Sequence, residues 1–192
     1  GLTGIATGAA AMGKRPVVVH VRNDFLFLAF DQLINMAAKW KYMFNTNAGY
    51  VPLVGRAIIG KGWGQGATHS QSLQSCLAHF PGLTVMMAMT IAALQHDGPV
   101  VILEHRPLYG LEGPVAEDFE PTPIGKARIV REGTDVTIVA TSLMSQKAMH
   151  AATELERQGV SVEVIDLRYI RPLDEETILQ SLKNTGHLVV AD

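Results

Sequence analysis

DVTIVATSLMSQKAMHAATELERQGVSVEVIDL, residues 135–167, carries the pattern that decides the fold. A β-branched run of strand length stands at each end, and between them residues 143–158 form a helix-length segment stopped by Gly159. Strand, helix and strand in that order predict parallel strands in one sheet. Just upstream, KARIVREG (126–133) reads as another strand. Downstream, Asp174 and Glu175 open a helix behind Pro172, and HLVVAD (187–192) reads as a last strand. A sheet whose final strand falls at the end of the sequence is expected to be incomplete.

The first two thirds of the chain repeat the alternation with longer elements. PVVVHV (16–21), VPLVGRAII (51–59), LTVMMAM (83–89) and PVVILEH (99–105) are strand candidates. The small residues between Gly4 and Gly13 suit a helix lying close to another backbone, and Asn23 and Asp24 offer helix caps. Residues 25–44 read as one helix, on which Asp31, Asn35 and Lys39 recur every four residues as a single polar stripe. Such a helix needs cover on nearly every side. GKGWGQG (60–66) breaks regular structure ahead of a helix of roughly ten residues. TIAALQHDG (90–98) is short for a crossover helix with its turns. Residues 106–122 are rich in Pro, Gly and acidic groups and read as an exposed linker. The fold expected is α/β, with a parallel sheet in each of two domains, 1–122 and 123–192.

Composition narrows the function. Of 192 residues, 47% are hydrophobic and only 18% charged, which implies contact with other subunits. A net charge of -2 gives no electrostatic case for nucleic acid or an anionic membrane surface. The apolar runs are too short for a membrane span. The single cysteine, Cys76, excludes an internal disulfide, mildly favours a reducing cytosol, and reads as a small buried hydrophobe. The histidines show no metal-ligand spacing. GKGWGQG lacks the ending of a P-loop and the order of a dinucleotide fingerprint, so neither phosphate motif is present.

DFLFLAFDQLINMAAK (24–39), GWGQGATHSQS (62–72), HFPGLTV (79–85), EHRPLY (104–109), PIGKARIVREGTDVTIVAT (123–141) and VEVIDLRYIRPLD (162–174) follow one another in register. Together they resemble the beta-subunit family of pyruvate, branched-chain and acetoin dehydrogenases, over essentially the whole chain. The resemblance implies a transketolase-like pyrimidine-binding domain followed by an incomplete transketolase C-terminal-like α/β domain. It further implies thiamine diphosphate as cofactor, with magnesium held mainly by an alpha subunit in an alpha2beta2 assembly, and a lipoyl acyltransferase as a second partner. The compartment implied is the cytoplasm, or the mitochondrial matrix in a eukaryote.

By the same resemblance His69 faces the cofactor's reacting carbon, where an imidazole donates a hydrogen bond or moves a proton. Phe25 packs its ring against the pyrimidine, and Leu28 is a weaker pocket residue. Taken alone, His69 reads as a loop or helix-cap group and Phe25 as an ordinary core residue. The glycines of 60–66 permit the tight path that presents His69, with Trp63 packed beneath it or against a partner. The family's essential glutamate falls upstream of residue 1, the family's usual segment between Thr90 and Ile91 is missing, and HDGP (96–99) replaces residues of a monovalent-cation site. Two other readings stay open. One is a split transketolase-like subunit acting on sugar phosphates; the other is a non-catalytic assembly module.

Overall fold

Four β-branched runs of the first part pair as the strands Val17–His20 (β1), Val54–Ile59 (β2), Thr84–Met87 (β3) and Val100–His105 (β4). They lie side by side in the order β1, β2, β4, β3, all parallel, with Val54 facing both Val17 and Val100. β4 sits between β2 and β3, and its residues Val100, Val101, Ile102 and Leu103 are fully buried. Each such side chain stabilises the fold by roughly 1.5–3 kcal/mol. The computed structural model describes all residues except 46–47, 88–89, 115–116 and 118–120. The last two residues of the predicted strand 83–89 thus lie outside the described residues. The chain divides into two units, Gly1–Pro121 and Thr122–Asp192.

Helix α1 (Leu2–Ala11) buries Thr3, Ala6, Thr7 and Ala10, a stripe at helical spacing. The segment predicted as one helix from 25 to 44 is instead three pieces. A 3-10 helix spans Asn23–Ala29, wider π-type turns span Asp31–Ala38, and a short α2 spans Trp40–Phe44. Asn23 and Asp24 do not cap it, because their side chains are committed to Gln71. Lacking a side-chain cap, the first turn tightens, one way the orphan amides of a helix start are satisfied. The polar stripe is present as a ladder: Asn35 donates to Asp31 at 3.0 Å, and Lys39 donates to Asn35 at 2.7 Å. Leu26, Ala29, Leu33, Ile34, Ala37 and Ala38 are buried, whereas Phe25, Phe27, Leu28, Tyr42, Met43 and Phe44 are exposed. The chain by itself therefore covers one side of this segment.

Past the glycine loop, the helix expected to run about ten residues is α3 (Gln74–Ala78), five residues long. Leu73 and Leu77 supply its buried contacts one turn apart, and Cys76 points off that stripe and is exposed, not buried as predicted. The short link from β3 to β4 does close, through the six-residue α4 (Thr90–Gln95). Arg15 braces the far end of this link. Its guanidinium donates to the carbonyls of Leu94 and His96 at 3.2 and 2.8 Å, satisfying acceptors at the helix end, and pairs with Asp97 at 2.5 Å. The predicted linker begins as a 3-10 helix, Arg106–Gly110, whose Tyr109 hydroxyl donates to Glu104 at 2.6 Å. Glu104 in turn accepts two bonds from Arg56, at 2.8 and 3.0 Å.

The second unit contains Arg128–Arg131 (β5), Val136–Ala140 (β6), Leu143–Glu156 (α5), Val162–Asp166 (β7), Tyr169–Arg171 (β8), Glu175–Thr185 (α6) and Leu188–Ala191 (β9). One sheet runs β5, β7, β6, β9. β6 is parallel to both β7 and β9, but β5 is antiparallel to β7, a correction to the all-parallel expectation. Only residues 132–135 join β5 to β6, so the chain cannot travel back the length of the sheet as a parallel entry requires. The link crosses the start of β7 so closely that a Cβ on Gly133 would collide with the backbone of Val162 and Glu163. A buried polar cluster fastens α6 to this sheet. The Thr137 hydroxyl meets those of Ser181 at 2.6 Å and Thr185 at 2.7 Å, and Ser181 donates to Glu163.

Candidate active site

The tight start of the 3-10 helix Asn23–Ala29 sets the first wall. In such a helix residues three apart eclipse, so Phe25 and Leu28 share a face while Leu26 and Ala29 point into the core. Phe25 is 47% and Leu28 88% exposed, and together they form an apolar surface on the outside of the unit.

The second wall comes from the glycine-rich loop. Gly60, Gly64 and Gly66 take φ of +80, +64 and +77°, left-handed values that suit residues without a Cβ. Trp63 also has positive φ, at 57°, and is 81% exposed. It is not tucked beneath the loop; the Arg106 guanidinium lies 4.0 Å from its ring centre and donates to Gln65 at 2.9 Å. The path then turns through a short 3-10 helix, Ala67–His69. His69 arrives edge-on against Phe25, with ring centres 5.1 Å apart and planes at 81°. Its Nδ1 lies 3.0 Å from the Thr68 hydroxyl, and Nε2 makes no hydrogen bond among the described residues. A ring fixed through one nitrogen and open at the other can donate to, or take a proton from, a bound molecule.

The structure thus brings His69 and Phe25 together and sets Leu28 on the same side as Phe25. Sequence reasoning missed what holds them. Arg22, Asn23 and Asp24 are buried side by side, and Gln71 is fastened between Asp24 and Asn23. The only signal was their place inside or beside the quoted motifs. A separate cavity of about 580 Å³ is lined by Lys61, Trp63, Arg106 and Tyr109, not by the His69–Phe25 pair. There Tyr109 is pushed up to about 12 by burial and by its bond to Glu104. Among the described residues no cluster of His, Cys, Asp and Glu could hold a metal ion, and no helix is long and apolar enough to cross a membrane.

A parallel α/β unit that sets an aromatic ring against a histidine is followed in this chain by a second α/β unit. The chain belongs to the transketolase family: residues 1–112 match "Transketolase, pyrimidine binding domain" and residues 125–192 match "Transketolase, C-terminal domain". It is 45% identical to the acetoin:2,6-dichlorophenolindophenol oxidoreductase subunit beta of Cupriavidus necator, over 98% of this chain and 58% of that protein. It is 40% identical to the pyruvate dehydrogenase E1 component subunit beta of Rickettsia felis, over 100% of this chain and 61% of that protein. Among solved structures, a split gene transketolase, described as an inactive beta4 tetramer, superposes with a TM-score of 0.77 at 28% identity. That match covers 99% of this chain and 61% of the other. The chain therefore spans about three fifths of the length of the relatives it matches. The Rickettsia match runs over 200 aligned positions against 192 residues here, so that relative carries at least eight residues within the match that this chain lacks.

Proposed function

We propose that this chain is the beta subunit of a thiamine-diphosphate-dependent 2-oxo-acid dehydrogenase component, catalysing oxidative decarboxylation of a 2-oxo acid with acyl transfer to a lipoyl group. The observation that carries the reading is the His69–Phe25 pair, set on a chain 40–45% identical along its length to proteins named as such subunits. Thiamine diphosphate supplies an electron sink for the carbanion left by decarboxylation.

The residues present fit one end of that cofactor. Phe25 and Leu28 offer an apolar face to an aminopyrimidine, and burying either side chain there is favourable by roughly 1.5–3 kcal/mol. His69 Nε2, unengaged among the described residues, is the group that donates to the substrate carboxylate or moves a proton beside the reacting carbon. The residues do not fit the magnesium diphosphate end, for want of a carboxylate cluster among those described. That end belongs to an alpha subunit in an alpha2beta2 assembly, with a lipoyl acyltransferase as the next partner, in the cytoplasm or mitochondrial matrix. Calorimetry of the isolated chain with thiamine diphosphate and magnesium is expected to show no tight binding. Binding at micromolar concentration without an alpha partner would overturn this division of the site.

A second reading, a split transketolase acting on sugar phosphates, is favoured by the likeness to the split gene transketolase at 28% identity. Assays of the assembled enzyme on 2-oxo acids and on ketose phosphates separate the two, and turnover of the sugar phosphates alone would select the second.

A further inference from the structure

We propose that Asp24 is a positioning residue for His69 and acts through Gln71, an inference that rests on the role of His69 given above. The Asp24 side chain is nearly fully buried, and its Oδ1 accepts from Gln71 twice, from the backbone N at 3.3 Å and from Nε2 at 2.9 Å. The Gln71 carbonyl accepts from Asn23 Nδ2 and from the Gly60 amide, each at 3.1 Å. The Gly60 carbonyl accepts from Arg22 at 2.6 Å. Residue 71 is thereby tied at its amide, its side chain and its carbonyl, two residues past His69.

On the other side of His69 the chain is fixed as well. The His69 amide and the Ser70 hydroxyl both donate to the Gly66 carbonyl, at 3.3 and 2.7 Å. His69 lies between these two anchors. Phe25, the ring it touches, is the next residue after Asp24. One carboxylate therefore joins the two walls of the site: it sits on the backbone that carries Phe25 and grips the segment that carries His69.

Stability alone is a poor account of this group. Its Oδ2 and the Arg22 Nε, 3.8 Å apart, are both buried without a hydrogen-bond partner. Their buried ion pair is long and lacks a hydrogen bond, and such a pair adds little stability over apolar side chains of similar size. What the carboxylate does supply is the placement of Gln71.

The subunit, assembled with its partner and labelled at histidine Cε1, provides the test. The His69 resonance is identified by its loss in His69→Ala, and Phe25→Leu shows how much of its shift comes from the neighbouring ring. Asp24→Ala is expected to move that resonance toward its position in Phe25→Leu. In the same variant kcat falls by about 10-fold or more, while cofactor affinity changes by less than about 3-fold. Asp24→Asn keeps an acceptor at Oδ1 and restores the shift and most of the rate. An unmoved His69 resonance in folded Asp24→Ala overturns the proposal. If that variant fails to fold, Gln71→Ala removes the 2.9 Å bond and carries the same expectation, and an unmoved resonance there overturns it equally. A displaced resonance with unchanged turnover supports the positioning role and removes His69 from the chemistry, so the two readings fail separately.

Discussion

In the second unit α6 is held by buried polar groups of the same unit. Asp174 accepts from the Thr177 amide and hydroxyl and from the Ala127 amide, and Thr137, Ser181, Thr185 and Glu163 close a buried cluster between helix and sheet. In the first unit, the layer over residues 23–44 is short-pitched, then wide, then α-helical, has no side-chain caps, and leaves seven large apolar or aromatic residues in the open. Beyond the exposed Asp31–Asn35–Lys39 ladder, the buried side chains of Asn23 and Asp24 fix the loop that carries His69. The units thus differ in what their buried polar groups hold, a helix on its sheet in the second and the loop that carries His69 in the first.

The largest expected effect belongs to the second unit. Gly133→Ala forces a Cβ into the backbone of Val162 and Glu163 and should destabilise that unit by about 3 kcal/mol, read by denaturant unfolding. A silent substitution there would break the contrast. In the first unit His69→Ala should leave the melting temperature and cofactor affinity nearly unchanged while lowering turnover by about 100-fold, the scale of a positioned proton-transfer group. Wild-type turnover would remove His69 from the mechanism, and lost cofactor affinity would make it structural.

Asp174→Ala should cost about 1.5 kcal/mol at neutral pH through loss of a helix cap and its companion bonds. Burial pushes the Asp174 carboxyl up, but its bonds from Thr177 and Ala127 and the nearby Lys126 outweigh this and hold it below the ordinary 3.8. A depressed folded value means the stabilisation is full above the unfolded value and is lost as pH falls through the folded one. Unfolding measured from pH 6 downward should therefore show the wild type converging on Asp174→Ala below about pH 4. The smallest effect is expected at Leu28, which is exposed. Leu28→Ser should change the stability of the chain by less than about 0.5 kcal/mol, and equilibrium unfolding checks this.

The strands were legible because β-branched runs such as VTIVA and VVILEH have few alternatives, and α5 and α6 because Gly159 and Asp174 mark their ends. Family motifs drew attention to His69 and Phe25, and the fold sets them in contact. What misled was local appearance. Asn23 and Asp24 look like caps, but a residue 47 positions away claims their side chains. Cys76 looks buried by composition, but on five residues of helix the neighbouring Leu77 takes the inward position. The direction of β5 follows from the length of one link and not from the strand's own residues. The end of TIAALQHDG is bound by Arg15, some eighty positions earlier. Except at Cys76, these misses lie where a long-range side-chain partner, or the geometry of a connection, outweighs local preference.

The order β1, β2, β4, β3 has a consequence for how the chain is made. β4 lies between β2 and β3 but is the last of the four to be synthesised. At ribosomal speeds of roughly 5–20 residues per second, β2 waits on the order of a few seconds for its second neighbour. During that interval one edge of β2 lacks its neighbour. Residues 100–105 then pair with β2 and β3 together, as the keystone between them.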